Sequence, residues 1–177
     1  QKLGCIQLMV ALVDNGSSEQ ATRTGTVGFV QRSTSTVMFR HLRYDIPFNY
    51  SRLNNQAVAD CADFAPEHLL FLNNDVELIE PATITKLNDF LAGNPQCGSV
   101  GCTLLYPDRK IQHLFFIPGC KLGASHPFRG LPFRPDDPWV RSPRPVGGCT
   151  AALLLVRHAD FVAVGGFAEE LAQSAQD

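Results

Sequence analysis

The segment His68-Leu69-Leu70-Phe71-Leu72-Asn73-Asn74-Asp75 joins a short apolar run to three small polar residues, the last a carboxylate. A short apolar run bounded by turn residues reads as a buried strand. In open α/β folds, ligands bind outside the carboxyl ends of the strands. Asp75 at such an end suits a divalent cation, because hard cations take oxygen ligands and bridge one or two carboxylates to substrate phosphates. The same residues also suit a plain turn closing a core strand, since Asn and Asp bond their own backbone there. A second segment repeats the pattern: Leu8-Met9-Val10-Ala11-Leu12-Val13 runs into Asp14-Asn15-Gly16-Ser17-Ser18. Gly16 tolerates positive φ, and Ser17 or Ser18 is placed to cap a following helix. Two strands that each end in an acid and a tight polar turn predict one shared site at a sheet edge. Two unrelated strand–turn–helix joints are the alternative.

The rest of the chain alternates in the same way. Val37 to Leu42 reads as a strand ending in a basic cluster. Ser51 is placed to cap a helix with Leu53, Ala57, Cys61 and Phe64 in one apolar stripe. After the central strand over Leu69 to Leu72, Pro81 opens a helix whose buried face carries Ile84, Leu87 and Leu91, and Gly93-Asn94-Pro95 stops it. Ser99 to Leu105 reads as a strand, with Ile111 to Ile117 returning beside it. Ala151 to Val156 is the last strand, followed by a short helix over Arg157 to Val162 and a sharp turn at Gly165-Gly166. Residues 118 to 145 hold many Pro, Gly and Arg and the lone Trp139 without any sustained period. A loop of that length is either functional or disordered. This alternation predicts an α/β domain with a mostly parallel sheet. The length of 177 residues predicts one domain over 1–177 with a sizeable core.

A net charge of −2 carries no global nucleic-acid signature. Arg23, Arg32, Arg40 and Arg43 nevertheless sit in a stretch without acids, where they would meet an anionic ligand or form a solvated face. The six cysteines show no Cys-x-x-Cys, and the five His do not stand at zinc-ligand spacing from them. Free thiols in a reducing cytoplasm are predicted, with no disulfide network. Leu3 to Val13 lacks a small-x-small cleavage site and reads as a core strand rather than a leader. No run is long enough to span a bilayer, which leaves a place at a membrane surface open.

Taken in order, several segments resemble the family 2 glycosyltransferases. They are Val13-Asp14-Asn15-Gly16-Ser17-Ser18, then Phe48-Asn49-Tyr50-Ser51-Arg52-Leu53-Asn54-Asn55, then Phe71-Leu72-Asn73-Asn74-Asp75. Val100 to Asp108 with Ile111-Gln112-His113 is similar to the family's "VGxxLLYPDG…IQH" stretch, and Val164-Gly165-Gly166-Phe167 to its "VGGFDE" turn. The branch most similar builds bacterial surface polysaccharides and is often called rhamnosyltransferase-like. The resemblance implies the GT-A nucleotide-diphospho-sugar transferase fold, a mostly parallel mixed central sheet flanked by helices. It implies transfer of a sugar, with inversion, from a nucleotide-diphosphate sugar of the UDP or dTDP type to a saccharide or lipid-linked acceptor. It further implies Mn²⁺ or Mg²⁺ as cofactor, no nucleic acid, and a cytoplasmic location, at the inner face of the cell membrane if peripheral association occurs.

The resemblance also implies roles for particular residues. Asp75 is the metal ligand. Asn73 and Asp75 hold the outer positions of the family's "DxD" motif, with Asn in place of the first Asp, and Asn74 faces the sugar or simply turns the chain. Asp14 matches the acid that contacts the nucleobase, beside Asn15 and Ser17; capping its own turn is an equal and compatible role. Asn55 or Asn54 approaches the nucleotide. Gly148, Cys149 and Thr150 match a small-residue stretch on the acceptor side, where close strand packing would equally explain the glycine. His113 is assigned to that side too, although a lone His on an apolar strand is more often structural. Apart from the resemblance, the lone Trp139 suits either stacking on a sugar ring or anchoring its loop. Asp177 matches the Asp that acts as catalytic base.

The family opens with an "IVIPxYN" strand and continues through "DxDLCLR", and neither has a counterpart here, so the resemblance implies a piece truncated at both ends. Ala168 replaces the Asp of "GGFDE". Asn73 and Ala168 suit a rival reading, a degenerate domain that binds nucleotide sugars or a partner without turnover. A nucleotidyltransferase is a second rival, disfavoured by the lack of a Gly-rich, Lys-bearing loop near the start.

Overall fold

The apolar run before Asp14 forms β1 (Leu8–Asp14), followed by α1 (Gln20–Val30) and β2 (Val37–Arg43). The helix is the crossover that parallel pairing requires, and β1 pairs with β2 in parallel from Leu8↔Val37 to Asp14↔Arg43. These elements come from a computed structural model that describes residues 7–120 and 123–170. The described residues fall into two compact units, residues 7–66 with 166–170 and residues 67–165.

In the first unit, α2 (Tyr50–Asp60) covers the strand pair. Leu53 and Ala57 are buried with Tyr44 and pack on Val13, Leu42 and Ile46. The cap of α2 is Asn49, whose side chain accepts the Arg52 N–H at 2.9 Å. Ser51, expected as the cap, instead lies inside the first turn with none of its surface exposed. The cap position of α1 falls to Glu19, which makes no side-chain capping bond, so neither Ser17 nor Ser18 caps it.

The second unit contains β3 (His68–Leu72), α3 (Thr83–Gly93), β4 (Ser99–Gly101), β5 (Leu104–Leu105), β6 (Ile111–His113), β7 (Ile117–Cys120), β8 (Gly123–Ser125), α4 (Pro138–Arg141), β9 (Leu153–Arg157) and α5 (His158–Ala163). The main sheet has the order β3-β9-β4, with both outer strands antiparallel to β9. Here the structure departs from the expected mostly parallel central sheet. β3, α3 and β4 are arranged as a crossover, but β9 inserts between the two strands and pairs with each in the opposite direction. Among the described residues, parallel pairing is confined to β1 and β2.

The core of this unit is Leu87, Leu91, Leu104, Leu153 and Leu155, with Leu70, Val76, Leu78 and Val100 packed around it. Each leucine buried this way contributes roughly 1.5–3 kcal/mol relative to exposure. Arg157 closes the end of α3, donating to the carbonyls of Leu91, Cys97 and Asn94. Carbonyls at a helix C-terminus lack intrahelical partners, and a cation satisfies both their lone pairs and the helix dipole. The expected strand over Ser99 to Leu105 is split at Cys102-Thr103 into β4 and β5, which belong to different sheets, and β6 returns beside β5. Within the Pro- and Gly-rich stretch, Phe128 and Arg144 gather around Trp139. Its ring stacks on Phe115 at 5.9 Å, packs on Phe128 at 5.5 Å, and carries the Arg144 guanidinium 4.6 Å from its centre. Trp139 thus anchors this stretch, because rings in such arrangements gain both contact area and cation–π attraction.

Candidate functional site

The turn after β1 is built on Asp14. Its Oδ1 accepts the Ser17 N–H at 2.8 Å, and its Oδ2 accepts from Arg43 Nη1 at 3.0 Å, with His41 Nε2 at 3.5 Å. The Asp14 side chain is only 3% exposed. The Ser17 hydrogen bonds, followed by the nearby Arg43 and His41 charges, hold its carboxyl below the ordinary value against the opposing effect of burial. Arg43 also grips Asp45 with two hydrogen bonds and donates to the Ser17 carbonyl at 3.0 Å. Asn15 ties the turn to the segment just after β2 by donating to the carbonyls of Tyr44 and Ile46, each at 2.8 Å. Gly16 has φ +72°, and a Cβ there would stand 2.7 Å from Asp45 Oδ1. Side chains rarely adopt that backbone conformation, so glycine is required at this position.

Asn55 projects from α2 onto the segment after Gly165-Gly166. Its Oδ1 accepts the Phe167 N–H and its Nδ2 donates to the Phe167 carbonyl, both at 2.9 Å. The same amide donates to Glu169 Oε1 at 2.9 Å. The turn and Asn55 are thus locked to each other. Among the described residues, Asn54 bonds only within its helix, to the Tyr50 carbonyl. Arg40, in the middle of β2, forms a two-bond pair with Asp63, so both it and Arg43 at the strand end are committed to carboxylates rather than left for an anion.

In the second unit, the turn after β3 presents Asn74 and Asp75 to solvent. Backbone bonds fix this turn. The Asn73 N–H donates to the Ala152 carbonyl at 3.0 Å, and the Asn73 carbonyl accepts the Val76 N–H at 3.3 Å. Among the described residues, the Asp75 carboxylate makes no hydrogen bond or ion pair. The segment that ends at Ala152 contains the other predicted residues. Gly148 accepts the Phe116 N–H at 2.9 Å, and a Cβ on it would lie 2.1 Å from the Phe116 ring. Cys149 packs against Gly101, and burial pushes its thiol pKa up. Thr150 donates its N–H to His113 Nε2 at 3.2 Å and accepts the Ala152 N–H on Oγ1 at 3.3 Å. His113 is 3% exposed.

The structure therefore groups the predicted residues into two clusters. Asp14, Asn15 and Ser17 share a turn in the first unit, which also holds Asn55. Asn73, Asn74 and Asp75 adjoin the segment of Gly148, Cys149 and Thr150 in the second, with His113 behind it. Asp177 lies outside the described residues. Among those residues, no three His, Cys, Asp or Glu side chains form a metal cage. Asp75 and Asn73 offer a carboxylate and an amide oxygen, a donor set that suits a hard cation completed by phosphate and water. Sequence reasoning placed Arg43 only in a basic cluster and missed its pairing with Asp14, which the parallel register sets opposite it. It also missed His126, whose Nδ1 is 3.1 Å from His113 Nδ1 and which sits in a stretch without periodicity.

The chain is similar to three kinds of curated protein. It is 35% identical over 166 residues to the O-antigen biosynthesis protein RfbC of Myxococcus xanthus, covering 90% of this chain and 12% of that protein. It is 37% identical over 168 residues to the uncharacterized protein y4gI of Sinorhizobium fredii, covering 94% and 18%. It is 29% identical over 178 residues to the N-acetylglucosaminyl-diphospho-decaprenol L-rhamnosyltransferase of Mycobacterium tuberculosis, covering 90% and 55%. The chain thus spans between about an eighth and about half of the length of these relatives. No family model matches the chain. No solved structure matches it. These relatives support a glycosyltransferase-like family, in agreement with the motifs. No helix among the described residues is long and apolar enough to cross a membrane.

Proposed function

We propose that this chain is the catalytic domain of a glycosyltransferase, of GT-A fold, acting in the synthesis of a bacterial surface polysaccharide. The observation that carries the proposal is the Asp75 carboxylate. It is exposed on a turn whose backbone is fixed to Ala152, and no described protein group competes for it. An acid held this way is available to a ligand, whereas Asp14, Asp45 and Asp63 are committed to arginines.

In this reading a nucleotide-diphosphate sugar, of the UDP or dTDP type, is the donor. Asp75, with Asn73, would hold Mn²⁺ or Mg²⁺. When bound, such an ion supplies Lewis-acid neutralisation of the leaving diphosphate. Asn74 would orient the sugar. Asp14, Asn15 and Ser17 would shape the nucleotide side, with Asp14 holding the turn through Ser17 and Arg43. Asn55 supports that side by locking the turn at Phe167. Gly148, Cys149 and Thr150, backed by His113, would face the acceptor, a saccharide on a lipid carrier. Asp177 would take the proton from the acceptor hydroxyl as the sugar transfers with inversion. The setting would be the cytoplasm, at the inner face of the membrane if the chain associates with it.

The test is incubation of the chain with UDP- and dTDP-sugars, Mn²⁺ and a polyprenyl-diphosphate-linked saccharide, following release of the nucleoside diphosphate. Release that is lost in Asp75→Asn supports the reading. Donor binding without release from any sugar identifies a binding domain instead.

A further inference from the structure

The contacts of His113 fix where its proton sits. Thr150 donates its N–H to Nε2, so that nitrogen presents a lone pair. A neutral imidazole then carries its hydrogen on Nδ1. That Nδ1 lies 3.1 Å from His126 Nδ1, so it donates and His126 Nδ1 accepts. His126 is therefore neutral in this arrangement, with its hydrogen on Nε2. His113 is buried while His126 is exposed to solvent.

We propose that His126 is a positioning residue. Its Nδ1 lone pair holds His113, and through His113 the Thr150 turn, so that protonating His126 releases the turn. A proton on His126 Nδ1 sets two N–H groups against each other across 3.1 Å. Moving the His113 hydrogen to Nε2 relieves this clash and sets the new Nε2–H against the Thr150 N–H, which breaks that bond and releases the turn. Parting the rings alone keeps Thr150 protected, and that result also overturns the proposal. The consequence reaches the candidate site, because Thr150 Oγ1 accepts from Ala152 and Ala152 accepts from Asn73. Histidine is the side chain whose ordinary charge change falls between about pH 5 and 8. The groups around the pair are compatible with this. The Phe116 ring flanks both imidazoles. The Cys149 thiol, next to Thr150, has its pKa raised by burial. Arg129 is spent on Tyr106 Oη at 2.8 Å. No carboxylate pairs with His126 among the described residues. That the release regulates sugar transfer rests on the function proposed above; the latch itself does not.

The test is histidine ¹⁵N NMR with Thr150 amide exchange on this chain, without any nucleotide. At about pH 8 the expected result is hydrogen on Nδ1 of His113 and on Nε2 of His126, with Thr150 protected. As the pH falls, Thr150 protection drops by about tenfold per pH unit below the midpoint, the slope of one linked proton. His126→Asn places an amide oxygen near the position of Nδ1 and keeps the protection at all these values. A hydrogen on His113 Nε2 at the higher pH, or the same loss of protection in His126→Asn, overturns the proposal. The wild-type tautomers decide the question even if the variant is unstable, and neither outcome bears on whether sugars are transferred.

Discussion

The Asn73 N–H and the Ala152 carbonyl, 3.0 Å apart, join the turn of Asn74 and Asp75 to the end of the segment of Gly148, Cys149 and Thr150. The bond uses backbone only, so it fixes where Asp75 stands without occupying its carboxylate. A structural acid in a folded protein is normally hydrogen-bonded or paired. Asp75 is exposed and unpaired among the described residues, the condition a ligand-binding acid requires.

Asp14 is the contrasting case, an acid that holds the fold together. Asp14→Ala removes the acceptor for Ser17 and leaves Arg43 with Asp45 and the Ser17 carbonyl, which costs about 1–3 kcal/mol in urea unfolding. Its lowered carboxyl pKa sets the sign with pH. A depressed folded-state value means the contribution is fully present above the unfolded value near 3.8 and is lost as pH falls through the folded one. Wild-type stability therefore falls more steeply than that of Asp14→Asn below about pH 4. Equal acid slopes for the two proteins would contradict the Asp14 contacts.

Gly148 is required by the Phe116 ring, which leaves 2.1 Å for a Cβ. Gly148→Ala forces the ring aside and destabilises by about 1–3 kcal/mol, as overpacking does. In a Phe116→Ala background most of that penalty disappears, because the two changes share one contact. A penalty that persists in the double variant would place the strain in the backbone instead.

Leu91 has none of its surface exposed and sits at the centre of the second unit's core. Leu91→Ala lowers unfolding stability by about 2–5 kcal/mol. Exposed Val164→Ala serves as the control and stays within about 0.5 kcal/mol of wild type.

The thiol of Cys102 is pushed up to about 11, first by burial and then by the neighbouring Cys149. The thiolate is the reacting form, so Cys102 is slow to alkylate at about pH 8 in the folded chain and fast after denaturation. Mass spectrometry of the labelled peptides checks this. Rapid native labelling at Cys102 would contradict the packing around Gly101 and Cys149.

Local patterns were legible wherever one residue type has one physical use. The apolar runs before Asp14 and Asn73 became β1 and β3 because they end in residues that terminate strands. Leu87 and Leu91 marked a buried helix face through their spacing. The insertion of β9 between β3 and β4 was not legible, because an apolar strand reads the same whichever way its neighbours run. Ser51 and Asn49 are both good caps, and only the observed burial of Ser51 decides between them. Arg43 and His126 owe their importance to partners 29 and 13 residues away, which no periodicity encodes.

Calorimetric titration of UDP and dTDP, with and without Mn²⁺, into the wild-type chain and Asp75→Ala tests the central claim most directly. Asp75 is exposed, so the substitution leaves the fold intact, which unfolding curves verify. The account predicts binding that requires Mn²⁺ and is lost in Asp75→Ala. Nucleotide binding that is equally tight without metal, or unchanged in the variant, would contradict it.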